Sequence, residues 1–197
     1  MSAGTAGYVL VGGHSSRFGA DKALAPWQGR PLAAWVAEQV RLAAGSVVLV
    51  GSPEKYQALG LPVIADELAG IGPLAGLATA LGHSQAQWNL VTACDMPHLT
   101  REFLAFLLCK ATKEAVDILL PFDPQGRAEP LCAVYARPCC EAINEALRRG
   151  VRKMTEAFTG LRVRELHFAE YAAFDHDGLL LANWNTPADL AGARAAG

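Results

Sequence analysis

The chain has no basic tract. Its 17 Lys and Arg residues are outnumbered by 19 Asp and Glu, for a net charge of −2, and a polynucleotide held by its phosphate backbone would require a surplus of positive charge. It has no apolar run approaching the roughly 18 residues that span a bilayer, and its first residues do not form a charged-then-apolar leader. A cytoplasmic protein is expected, with neither nucleic acid nor membrane as partner. Paired C-x-x-C spacing is missing as well. The five cysteines, Cys94, Cys109, Cys132, Cys139 and Cys140, are odd in number, which argues against a disulfide framework or a cysteine zinc site and for buried thiols. There is no internal repeat and no low-complexity linker. What remains is 197 residues, 52% of them apolar, enough to bury a core as one domain over 1–197.

Short apolar runs alternate with longer amphipathic stretches. Strands are predicted at 8–11, 47–50, 90–93 and 117–121, with helices over 31–42, 74–81 and 101–110 between them. The runs are rich in Val, Ile and Leu without strict alternation, the pattern of parallel strands covered on both faces and joined by right-handed crossovers. The expected fold is α/β, a three-layer, Rossmann-like domain with a mostly parallel sheet. After Pro121 the pattern changes: a turn at Asp123-Pro-Gln-Gly126, a strand at 131–135, a helix from about 138 to 149 and a short strand near 162–166. This divides the chain into a half at about 1–120 that binds a nucleotide and a half at about 121–197 that carries a second substrate. Arg127, Arg148, Arg149, Arg152 and Lys153 gather around Gly150, either as solvated helix-end charges or as an anion site.

The most informative segment is Tyr8 to Lys22, an apolar strand running into Gly12-Gly13-His-Ser15-Ser16-Arg17-Phe-Gly19-Ala-Asp21-Lys22. Glycines let backbone N–H groups approach an anion without a Cβ in the way, while Ser15, Ser16, Arg17 and Lys22 add donors and positive charge. A plain strand-to-helix turn needs the glycine but not a converging Arg and Lys. The Walker A pattern is not met, since no hydroxyl follows Lys22, and neither is Gly-x-Gly-x-x-Gly. The segment is therefore read as a different nucleotide phosphate grip.

An open parallel sheet places its ligand at the carboxyl ends of its strands. Leu90-Val-Thr-Ala-Cys-Asp95 puts a carboxylate at such an end, and Met96-Pro97 stops the strand. Asp95 is a candidate Mg²⁺ ligand, because Mg²⁺ is commonly held by one or two carboxylates with substrate phosphates and waters. The alternative is a helix cap ahead of Pro97 and Thr100. Cys94 reads as a packing residue and His98 as a loop residue.

The pattern Leu10-Val11-Gly12-Gly13, Arg17 and Gly19-x-Asp-Lys22 resembles the signature loop of the molybdenum cofactor guanylyltransferases, the MobA family of nucleotidyltransferases. Four more segments resemble that family in order: Asp66-x-x-x-x-x-Gly72-Pro-Leu-Ala-Gly76, Ala93-Cys-Asp95-Met-Pro97, Glu129-Pro-Leu-Cys-Ala-Val-Tyr135 and Asn183-x-Asn185-Thr-Pro-x-Asp189. Val11, where Ala is usual, and Cys132, where His is frequent, depart from it. The resemblance implies transfer of GMP from GTP to molybdopterin with Mg²⁺ as cofactor and release of pyrophosphate. It also implies transient contact with molybdoenzymes or their chaperones. Leu10, Val11, Gly12, Gly13, Ser15, Lys22, Gly51 (or Ser52), Asp66 and Asp95 would then bind GTP, with Arg17, Lys22 and Asp95 catalytic. Asn183 and Asn185 would meet the pterin, unless the Asn-Thr-Pro run is only a turn before a capped helix. Asp66 either accepts hydrogen bonds from guanine N1–H and N2–H₂ or caps the segment 70–76; both readings stay open. Rival readings are a cytidylyltransferase for the same cofactor, a nucleotidyltransferase for a sugar or isoprenoid phosphate, and a non-catalytic nucleotide sensor or cofactor chaperone.

Overall fold

A computed structural model describes residues 4–12, 21–66 and 70–184. The first strand, β1 (Thr5–Leu10), is followed beyond the glycine loop by a two-residue hairpin, β2 (Pro26–Trp27) and β3 (Arg30–Pro31), which leads into α1 (Leu32–Ala44). Next come β4 (Val48–Val50), the single-turn α2 (Pro53–Tyr56), β5 (Val63–Ile64), α3 (Pro73–His83), β6 (Trp88–Ala93) and α4 (Arg101–Glu114). The second half supplies β7 (Ile118–Pro121), β8 (Cys132–Ala136), α5 (Cys139–Arg148) and β9 (Val163–Leu166). No helix among the described residues is long and apolar enough to cross a membrane.

Seven strands form one sheet in the order β5-β4-β1-β6-β8-β7-β9. All pairings are parallel except those of β8, which runs antiparallel to both β6 and β7. The α/β, mostly parallel reading of the sequence holds, with one qualification. The strand predicted at 117–121 does not lie beside β6; β8 is inserted between them, since antiparallel pairing needs only a turn to reverse the chain whereas a parallel neighbour needs a crossover.

The strands carry apolar residues on both faces because both faces are covered. Along β1, Val9 joins the core on one side with Leu49, Leu90, Val36, Val40, Leu104 and Leu107. Tyr8 and Leu10 join the other with Val50, Val91, Leu74, Leu77 and Ile143. Helices α1 and α4 pack together on the first face, and α3 and α5 on the second. The result is the three-layer arrangement that near-continuous hydrophobic strands require.

Candidate active site

The carboxyl ends of β1, β4, β5 and β6 meet at one edge of the sheet. Hydrogen bonds continue the pairing past the strands: Val11 N–H donates to Val50 O (2.9 Å), Gly51 N–H to Ile64 O (2.9 Å) and Cys94 N–H to Leu10 O (3.2 Å). Gly12 adopts φ of +108°, in the left-handed region that favours glycine, so the chain can turn sharply out of β1 at this edge. Gly51 is there for room. A Cβ on it would lie 2.3 Å from Val11 O and 2.7 Å from Val11 Cγ2, so any larger residue would wedge β4 away from β1 at the root of the loop.

The loop returns through Asp21, which serves as a cap. Its Oδ1 accepts from Ala23 N–H (3.0 Å) at the start of a 3₁₀ turn, Lys22–Leu24, and its Oδ2 accepts from Tyr56 Oη (2.8 Å). Tyr56 is buried at the end of α2. Burial, and then the hydrogen bond to Asp21, push its phenol far above the ordinary value, so it stays a donor. This clamp fixes where Lys22 begins. Sequence reading assigned Asp21 and Tyr56 no role, as nothing local links residues 35 positions apart.

Lys22 Nζ donates to Asp95 Oδ2 at 3.0 Å, with the two side chains 12% and 25% exposed. Asp95 sits two residues past β6, and its backbone carbonyl accepts from Trp184 N–H (2.8 Å). Asp95 is not the cap of α4. Thr100 takes that place, its side chain accepting from Phe103 N–H at 3.3 Å. Asp95 Oδ1 is buried and, among the described residues, has no hydrogen-bond partner. A buried, unpaired carboxylate oxygen is costly unless a ligand satisfies it, and a hard cation is a suitable ligand for such an oxygen. No group of three or more His, Cys, Asp or Glu side chains that could hold a metal occurs among the described residues. Neighbouring Cys94 is buried, and burial followed by the Asp95 charge pushes its thiol up to about 12. It is inert packing.

Of the other predicted residues, Leu10, Val11 and Gly12 lie at the end of β1 on this edge, and Gly51 lies beside Val11. Asp66 follows the edge strand β5 and accepts from Thr79 Oγ1 (3.4 Å) at the seam with α3, whose N-cap is Gly72. Gly13, Ser15, Ser16, Arg17, Gly19 and Asn185 lie outside the described residues.

The reversal of β8 has a direct consequence for the site. Cys132, at the start of β8, pairs with Thr92 near the end of β6, so the segment before β8 arrives at the same edge as Asp95. Its side chain of interest is Glu129. That carboxyl is half-buried, and burial followed by the Asp123 carboxylate pushes it up to about 7, against the opposing charge of Arg127; Asp95 adds slightly to the rise. Glu129 and Asn183 line a cleft of about 400 Å³ together with Pro73, Leu131, Arg152 and Lys153. Sequence reading placed Asn183 near a second substrate but did not single out Glu129, and it left Arg152 and Lys153 undecided between solvated and anion-binding charges. The signal available for Glu129 was its position at the head of an apolar strand, where a carboxylate needs a reason.

Comparison with known proteins agrees with this geometry. Residues 7–163 match the MobA-like NTP transferase domain. A Nostoc sp. protein named "Probable molybdenum cofactor guanylyltransferase" is 37% identical over 189 residues, covering 93% of this chain and 87% of that one. One of the same name from Carboxydothermus hydrogenoformans is 32% identical over 181 residues, covering 92% and 90%. Among solved structures, molybdopterin-guanine dinucleotide biosynthesis protein A from Archaeoglobus fulgidus superposes with a TM-score of 0.83 at 30% identity, covering 97% of each chain. A sheet edge that joins a glycine-rich loop to a Lys22–Asp95 pair is thus found in a chain that resembles these proteins along nearly its whole length, and the chain belongs to the MobA-like NTP transferase family.

Proposed function

We propose that the chain transfers the GMP moiety of GTP to molybdopterin, releasing pyrophosphate. The observation that carries this reading is the Lys22–Asp95 pair, with a second Asp95 oxygen buried and without a hydrogen-bond partner among the described residues, at the sheet edge of a chain whose relatives are named for this reaction. An ammonium beside a carboxylate that can take a cation suits a triphosphate, because phosphoryl-type transfer asks a protein chiefly for alignment and charge neutralisation.

In this reading a phosphate oxygen of molybdopterin attacks the α-phosphorus of GTP, the bond to the bridging oxygen breaks, and pyrophosphate leaves with the electron pair. The attacking phosphate is already ionised, so no general base is needed. Lys22 and Arg17 hold charge on the triphosphate and the leaving group, and backbone N–H groups of Gly12 and Gly13 with Ser15 bind its oxygens. Asp95 would hold Mg²⁺, which when bound supplies neutralisation of charge on the reacting phosphates. Leu10, Val11 and Gly51 border the nucleoside, and Asp66 accepts from guanine N1–H and N2–H₂. Asn183, which lines the cleft, meets the pterin, as does Asn185. The cytoplasm is the compartment this reading implies, with both substrates small molecules.

The test is pyrophosphate release measured with each of the four nucleoside triphosphates, with and without molybdopterin. Release confined to GTP and dependent on molybdopterin is expected. Equal use of CTP would replace the guanylyl reading with the cytidylyl one, and release independent of molybdopterin would remove the acceptor.

A further inference from the structure

We infer that Glu129 is the specificity residue that reads the 2-amino-4-oxo edge of the pterin ring in the cleft it shares with Asn183, Arg152 and Lys153. The inference rests on the proposal that molybdopterin is the acceptor. Its basis is the make-up of the cleft. The volume, about 400 Å³, falls in the range of small-molecule sites, which combine apolar walls with a few placed polar groups. The apolar surface here comes from Pro73, Pro130, Leu131 and Met154. Among the described residues that line it, Glu129 is the one carboxyl, Arg152 and Lys153 are the cations, and Asn183 is the amide.

Each of these groups has a counterpart in a phosphorylated pterin. The N3–H and 2-NH₂ groups form two parallel donors, which a carboxylate accepts with both oxygens in the way it accepts an arginine fork. Arg152 and Lys153 are exposed and suited to an anionic tail. Asn183 lines the same cleft as Glu129, and a carboxylate offers about four acceptor sites, enough for a ligand that brings two donors. A half-buried carboxyl with Asp123 nearby is held above its ordinary protonation range, and a ligand that brings two N–H donors offsets the cost of its charge. The basis for locating the residue is topological: the antiparallel β8 delivers Glu129 to the edge where β6 delivers Asp95, so one substrate could lie across both.

The test compares two competitors against molybdopterin at saturating GTP: pterin, and lumazine, in which a carbonyl replaces the 2-amino group and faces the carboxylate acceptor to acceptor. With the unmodified chain, pterin should inhibit at least about 10-fold more tightly, the size of one mispaired hydrogen bond. In E129Q, which is isosteric and removes the charge, this preference should vanish. Its KM for molybdopterin should rise about 10-fold or more while KM for GTP stays within about 2-fold, because an amide presents one donor where the fork needs an acceptor. A purely structural role for Glu129 would move neither the pterin preference of the unmodified chain nor the split between the two KM values. Equal inhibition by pterin and lumazine would overturn the role of Glu129 even if transfer to molybdopterin proceeds normally. Absence of transfer to molybdopterin would overturn the underlying functional reading instead. Should E129Q fail to fold, the comparison in the unmodified chain still decides.

Discussion

Replacing Lys22 with alanine separates what the Lys22–Asp95 pair does for the fold from what it does for the reaction. At 3.0 Å and an effective dielectric of about 20, two unit charges attract by about 5–6 kcal/mol. Desolvation and the ordering of the lysine side chain take back most of this. Exposed pairs retain about 1 kcal/mol or less, while removing one partner of a buried pair costs about 3–5 kcal/mol. With side chains 12% and 25% exposed, this pair lies between, and K22A should lose about 1–2 kcal/mol of stability, a drop of several degrees in Tm for a chain of this size. Turnover should fall much further, by about 10²–10³-fold, the cost of losing one donor aimed at charge in a transition state. The assay is pyrophosphate release at saturating GTP beside a thermal melt. D95N should match the loss of turnover while keeping the fold. The double variant should lose less stability than the two single losses added together, because no charge of this pair is left facing a missing partner. If folded K22A turned over within about 3-fold of the unmodified chain, the electrostatic role drawn for this edge would be wrong.

Other outcomes can be stated more briefly. GTP should be preferred over CTP by at least about 10²-fold in kcat/KM, and D66A should lose much of that preference if Asp66 accepts from guanine, since each lost hydrogen bond costs about 1–3 kcal/mol; an intact preference in D66A would assign the residue to the β5–α3 seam. G51A should destabilise the fold by about 1–3 kcal/mol or more, its Cβ meeting the backbone oxygen of Val11 at 2.3 Å, whereas G76A should be far milder because its Cβ meets the movable Leu10 side chain at 3.2 Å. Glu129 should leave a pH signature in thermal melts. Its folded value of about 7 lies above the ordinary 4.5, so the folded state binds the proton more tightly, and the stability this contributes is fully present below 4.5 and lost as pH rises through about 7. The Tm of the unmodified chain should therefore fall relative to E129Q between those values, and a constant difference would contradict the raised carboxyl.

Much of this molecule was legible in the sequence because the relevant physics is local. Strands buried on both faces must be apolar at nearly every consecutive position, as 118–121 are throughout and 90–93 are apart from Thr92. Asp95 was placed at a strand end because Pro97 follows it, and Lys22 was tied to a phosphate because glycines, hydroxyls and an arginine precede it. Other features had no local signal. The two-residue strand Val63–Ile64 is too short to show a period. A buried strand reads the same in either direction, so the reversal of β8 and its insertion between β6 and β7 were decided only when those strands paired. That reversal brings Glu129 to the edge occupied by Asp95, and Asp21 and Tyr56, Lys22 and Asp95, and Trp184 and Asp95 likewise meet only across the folded chain. The sequence by itself determined the layers and the kind of chemistry, since both follow from residue types near one another in the chain. Which charges face each other across the site was decided by tertiary structure alone, because electrostatic pairing depends on distances in space that no spacing along the sequence encodes.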